Sequence, residues 1–251
     1  MFLYIFLFIL AVFLFKCFEI KLSIDWKTFT KRGFQKIDNN YGIICYTGKQ
    51  GYGKTYSAIK YIIDCKLKDD YTILTNVKSF TIFQDTEYFD NLYDLIDYCK
   101  DIKDNETSVK PIIILFDEIF SLINKNYSVD DDVMTFISQL RKRHIVLVTT
   151  AQEWSEINIS FRKYVRFQVS CRMFALPFFK TAFLFNHIND GENLKLNPQT
   201  MEYEAPTVRT KFFKGNKSII ESYDTYEVIS VSRKKATKNK FLNHVGDVPK
   251  I

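Results

Sequence analysis

The stretch Tyr41–Leu67, YGIICYTGKQGYGKTYSAIKYIIDCKL, opens on an almost unbroken apolar run, Tyr41 to Tyr46, which reads as a short buried strand. The run gives way to Gly48-Lys49-Gln50-Gly51-Tyr52-Gly53-Lys54-Thr55 and then to a helix with Ala58, Ile59, Ile62 and Ile63 on one face. The pattern G-x-x-x-x-G-K-T between a strand and a helix is the context that a phosphate-binding loop requires. Glycines let successive N–H groups turn inward on an anion, and the helix N-terminus adds partial positive charge. Lys54 would reach the β- and γ-phosphates of ATP, and the Thr55 hydroxyl would ligate Mg²⁺. The candidate nucleotide contacts are therefore Gly48, Lys49, Gln50, Gly51, Tyr52, Gly53, Lys54, Thr55 and Tyr56.

A second informative stretch is Pro111-Ile112-Ile113-Ile114-Leu115-Phe116-Asp117-Glu118. Five apolar residues in a row suit a central parallel strand covered on both faces. The two acids emerge at its carboxyl end, where open α/β sheets bind ligands. Beside a phosphate loop, Asp117 would order the metal ion and Glu118 would polarise the attacking water. Ile145–Thr149 reads as another buried strand, and it runs into Thr150-Ala151-Gln152. Gln152, at the tip of a strand beside the acidic one, can reach the γ-phosphate or the water.

Periodicity places the remaining elements. A strand is expected over Tyr71–Val77, a helix over Thr86–Asp104 with Phe89, Leu92, Ile96 and Cys99 on one face, and a helix over Ser128–Arg143. Val165–Met173 alternates strictly, with Val165, Phe167, Val169, Cys171 and Met173 on one face, so it reads as a half-exposed strand with Lys180–Ile188 as its neighbour. Val208–Phe213 and Asp224–Val231 suggest short strands, and Arg233–Lys240 is a basic tail.

With 251 residues, 47% hydrophobic and 25% charged, the chain can bury one good core and a small appendage. A net charge of +6 is compatible with a polyanionic partner without requiring one. The five cysteines form no C-x-x-C pair and no metal-like spacing, which points to a reducing compartment.

Met1–Phe15 carries no charge, and basic residues follow it: Lys16, Lys21, Lys27, Lys31, Arg32 and Lys36. Fifteen helical residues span about 22 Å, and taking in Cys17, Phe18 and Ile20 brings the length near that of a membrane span. The expectation is a single-pass membrane anchor over residues 1–20, with the rest of the chain in the cytoplasm. A basic linker (21–40), an ATPase domain (41–190) and a C-terminal extension with the tail (191–251) complete the expected division.

Gly48–Thr55, Thr75-Asn76, the Asp117-Glu118 strand, Arg141-Lys142-Arg143-His144 and Thr149-Thr150-Ala151-Gln152 together resemble the zonular occludens toxin family. These are morphogenesis ATPases of filamentous phages, related to the FtsK/HerA DNA-pumping ATPases. The resemblance implies an α/β P-loop fold of the additional-strand class, a mostly parallel sheet between helices, with a small β-rich C-terminal extension. It implies ATP hydrolysis coupled to DNA movement in virion assembly, a homo-oligomeric ring, and viral DNA and phage coat or assembly proteins as partners. It also makes Arg162 the counterpart of an arginine that completes a neighbouring subunit's site, with Arg166, Arg143 and Arg141 as further candidates. Members commonly place a membrane segment after the ATPase domain, whereas here the one apolar span is N-terminal. That departure leaves open a motor that fills a preformed capsid, and a scaffold that binds ATP only to fix its shape.

Overall fold

The computed structural model describes residues 2–19, 22–24, 41–89, 91–105, 110–119, 123, 129–175, 182–193, 195–196 and 203–224. The core is a parallel sheet built from β2 (Gly42–Thr47), β3 (Thr72–Thr75), β4 (Thr86–Tyr88), β5 (Ile112–Phe116) and β6 (Ile145–Ala151). It continues through β7 (Val165–Ala175), β8 (Ala182–Asp190), β11 (Thr207–Lys214) and β1 (Leu22–Ile24). The nine strands run in the order β1-β11-β8-β7-β2-β6-β5-β3-β4. A separate pair, β9 (Lys195–Leu196) and β10 (Tyr203–Glu204), is antiparallel. Strand β6 lies between β2 and β5 and is parallel to both.

Every residue of β2, β5 and β6 is buried, because helices cover both faces. Helix α2 (Lys54–Lys66) packs against Ile44, Tyr46, Ile113, Leu115, Val146 and Val148. The alternate residues Ile43, Cys45, Ile112, Ile114, Phe116, Ile145 and Leu147 face α3 (Leu92–Asn105), α4 (Asp131–Gln139) and α5 (Ile159–Arg162). A strand period of two delivers one residue in each direction, so the two cores follow from the apolar runs. One polar pair interrupts the first core. Lys60 and Asp64 of α2 are buried and bridged at 2.9 Å, with the ammonium 5.4 Å from the Phe213 ring centroid.

Several expectations change. Thr86–Tyr88 pairs with β3 as a strand, so the helix expected from Thr86 begins at Leu92. The helix expected over Ser128–Arg143 is confined to Asp131–Gln139, where the Asp130 side chain accepts from the Asp132 N–H and caps it. In β7 the register slips between the partners of Ile43 and Ile44. Val165 therefore enters the core under α3, α4 and α5, while Val169 and Cys171 stay under α2. The strand Leu22–Ile24, inside the expected linker, pairs in parallel with β11, and β11 pairs with β8 across residue 190. The strand expected at Asp224–Val231 and the basic tail lie, beyond Asp224, outside the described residues.

The membrane anchor over residues 1–20 is the main correction. No helix among the described residues is long and apolar enough to cross a membrane. Helix α1 (Phe2–Glu19) has 18 residues, and Lys16 and Glu19 occupy its last turn. Its full length is about 27 Å against a hydrocarbon core of about 30 Å, and its uncharged part is shorter still. The single-pass placement, with the ATPase domain on the cytoplasmic side, falls with it.

Candidate nucleotide site

The loop Gly48–Gly53 joins the end of central strand β2 to the start of α2. Gly53 holds φ 74° as the N-cap of α2, makes no side-chain cap, and the first turn of the helix carries no acid. Both features suit a helix end that receives an anion. A Cβ on Gly53 would sit 2.6 Å from Leu184 Cδ2, so the Leu184 side chain would have to shift to admit one. The Gly48 N–H donates to the Gln152 carbonyl at 3.2 Å, which ties the loop to the tip of β6. Lys54 Nζ donates back to the Lys49 carbonyl at 3.2 Å. Burial lowers the Lys54 pKa, and the nearby Asp117 and Glu118 charges oppose that shift.

Asp117 is fixed from several sides at the end of β5. Its N–H donates to Asn76 Oδ1 at 2.8 Å, and its carbonyl accepts from Asn76 Nδ2 at 3.0 Å. Its carboxylate accepts from the Thr55 hydroxyl at 3.1 Å and from the Thr150 hydroxyl. The carboxyl is buried, and burial raises its pKa against the lowering effect of these two hydroxyls. The Thr150 hydroxyl also accepts from the Glu118 N–H at 2.9 Å, so a single side chain positions both acids. Glu118 itself is exposed and sits at φ 54°, a left-handed conformation that non-glycine residues seldom adopt and that recurs at functional sites.

These groups share one cleft of about 630 Å³. Of the residues expected to act there, Gln50, Gly51, Gly53, Lys54, Thr55, Tyr56, Asp117, Glu118 and Gln152 line it. Gly48, Lys49 and Tyr52 belong to the loop without lining the cleft. Tyr56 is largely a core residue, stacked on Phe213 with its hydroxyl accepting from the Asn216 N–H. Arg162 lies away from the cleft at the end of α5, its guanidinium 5.8 Å from the Trp154 ring centroid. Arg141 pairs with Glu192, Arg143 Nε donates to Gln139, and Arg166 donates to the Tyr41 carbonyl.

Sequence reasoning gave no role to Asn76 or Thr150, although both stand at strand ends beside the acidic strand. It also missed the opposite wall, where Met173, Ala182 and Leu184 of β7 and β8 meet Gly215, Ile220, Tyr223 and Asp224. No local pattern marks those residues, because they are brought to the loop only by the pairing of β7, β8 and β11.

A parallel sheet whose central strand opens through a glycine-rich loop into a helix, with an acid pair two strands away, defines the P-loop nucleotide-binding class. The sequence model of the zonular occludens toxin (Zot) family matches residues 42–249, and the chain belongs to that family. No curated protein matches the chain. Among solved structures, the N-terminal domain of zonular occludens toxin from Neisseria meningitidis is similar, with 15% identity and a TM-score of 0.48 over 73% of this chain and 98% of that one. The genome packaging NTPase of Sulfolobus turreted icosahedral virus 2, in complex with ATP-gammaS, is similar with 10% identity and a TM-score of 0.45 over 66% of this chain and 98% of that one. The flagellar accessory protein FlaH from Methanocaldococcus jannaschii has 15% identity and a TM-score of 0.40, over 65% and 89%.

Proposed function

We propose that this chain is an ATPase that couples ATP hydrolysis to the movement of viral DNA during virion assembly. The observation that carries the reading is the convergence of Lys54, Thr55, Asp117 and Glu118 on one cleft from the loop and from β5. Thr55 and Asp117 would hold Mg²⁺, since a hydroxyl and a carboxylate 3.1 Å apart are the hard oxygen donors that ion takes. The ion supplies charge neutralisation on the phosphates when bound. Lys54 binds the β- and γ-phosphates. Glu118 orients the attacking water and accepts its proton, with its backbone set by Thr150. Gln152 contacts the γ-phosphate side from the tip of β6.

Arg162 stands outside its own cleft, so in this reading it serves the site of a neighbouring subunit in a homo-oligomeric ring. A cation supplied in this way can be worth about 10³–10⁵ in rate. The DNA and assembly partners rest on the family resemblance. The test is ATP turnover by the full chain, alone and with single- or double-stranded DNA, beside Lys54→Ala. Turnover that DNA stimulates and Lys54→Ala abolishes is expected. Turnover indifferent to DNA would remove the translocation part, and an inert wild type would remove the ATPase.

A further inference from the structure

The cleft is larger than a triphosphate needs. Its volume of about 630 Å³ falls in the range of roughly 300–1,000 Å³ that takes a whole drug-sized ligand. Lys54 and Thr55 line the cleft from the start of α2, and Asp117, Glu118, Thr150 and Gln152 line it from the ends of β5 and β6. The facing wall carries an apolar patch, Met173 and Leu184 from the paired strands β7 and β8 and Ile220 from α6 (Lys217–Ile220), followed along the chain by Tyr223 and Asp224, which also line the cleft. This wall touches the phosphate loop, because a Cβ on Gly53 would meet Leu184 Cδ2 and lie 3.9 Å from Met173 Sδ. Met173 and Ile220 line the cleft and stay 39% and 46% exposed. Apolar surface left in water beside a charged site gains free energy when a flat, weakly polar group covers it.

We infer that Met173, Leu184 and Ile220 form the subsite for the nucleobase, holding it by contact with its faces and edges. This rests on the ATP-binding reading above and says which part of the ligand lies where. The phosphates belong at Lys54 and Thr55, and the base extends from the loop toward β7 and β8. The wall is fastened before the ligand arrives. The Gly215 N–H donates to the Ala182 carbonyl at 2.8 Å, and the Asn216 N–H to the Tyr56 hydroxyl at 2.7 Å. Beyond α6, the Ser222 carbonyl accepts from the Thr81 N–H at 3.2 Å, and the Asp224 N–H donates to Ser79 Oγ at 2.8 Å. The segment from Gly215 to Asp224 therefore spans from β8 to the loop after β3, and little ordering remains to be done on binding.

The test compares ATP with inorganic tripolyphosphate, which has the charge and no base, by titration calorimetry in Mg²⁺ on the full chain. The variant is Met173→Gln with Ile220→Asn, two exposed positions whose substitution spares the core. The wild type should bind ATP at least about tenfold more tightly than tripolyphosphate, the size of effect that apolar pocket contacts supply. The double variant should lose most of that difference while its tripolyphosphate affinity stays within about twofold, and Lys54→Ala should weaken both ligands. Equal wild-type affinities for the two ligands, or a double variant that binds ATP as the wild type does, overturns the subsite and leaves nucleotide binding standing. A wild type that binds neither ligand overturns both readings.

Discussion

The wall of the cleft formed by β5 and β6 is cross-linked by side-chain hydrogen bonds, whereas the wall formed by β7, β8 and the segment after β11 carries an apolar patch and is fastened through its backbone. On the first wall Asn76, Thr55 and Thr150 all converge on Asp117. On the second, Met173 and Ile220 project from a frame that other residues hold. A site for charge chemistry needs acids fixed within tenths of an ångström, so its side chains are mutually constrained. A surface that binds by contact tolerates exchange as long as its backbone is placed. The first wall should therefore fail in stability and rate together, and the second in affinity alone.

The largest effect is expected at Glu118→Gln. In the proposed mechanism this removes the group that accepts the water's proton, so turnover should fall by about 10²–10⁴ with ATP still bound, read by single-turnover kinetics beside a binding titration. A small drop would detach the polar wall from the chemistry. Next comes Lys60→Met on α2. It leaves the Asp64 carboxylate buried without its 2.9 Å partner and should cost about 3–5 kcal/mol in denaturant unfolding. The Lys60 ammonium also lies 5.4 Å from the ring of Phe213 in β11, so the substitution tests the packing between α2 and that strand as well as the ion pair.

Asn76→Ala removes both hydrogen bonds to the Asp117 backbone and should destabilise by about 1–3 kcal/mol, since a buried N–H is left unpaired. By contrast, Met173→Gln with Ile220→Asn should change stability by no more than about 0.5 kcal/mol at each exposed site. Comparable losses in the two variants would erase the distinction between the walls.

The smallest effect concerns His187 of β8, whose Nδ1 lies 2.9 Å from Thr210 Oγ1. Burial, with help from Arg172, lowers its pKa below the ordinary 6.5. The folded state thus resists a proton that the unfolded chain accepts. The contribution is present above pH 6.5 and is lost as the pH falls through the lower folded value. Unfolding measured between neutral and mildly acidic pH should show that loss, and His187→Gln should flatten it.

Much of the parallel half was legible because its signals are local. An apolar run leading into the Gly48–Thr55 loop, or ending at Asp117, is read from neighbouring residues alone, and the period of two sorts Ile112–Phe116 between two cores. The weaker readings failed where tertiary contacts overrode a local pattern. Thr86–Tyr88 fits a helical stripe yet is drawn into the sheet by β3, and the register slip at β7 turns Val165 to the opposite core. The apolar N-terminus reads as a span, but its charged last turn leaves α1 short of one.

By itself the sequence determined the phosphate loop, the acid pair and the alternation that buries both faces of the central strands, because each depends on residues within one turn or one strand of each other. Only the tertiary structure decided that the Thr150 hydroxyl bridges both acids and that Ile220 lines the same cleft as Lys54. Those placements join residues 32 or more positions apart, and strand order, on which sequence spacing is silent, sets them.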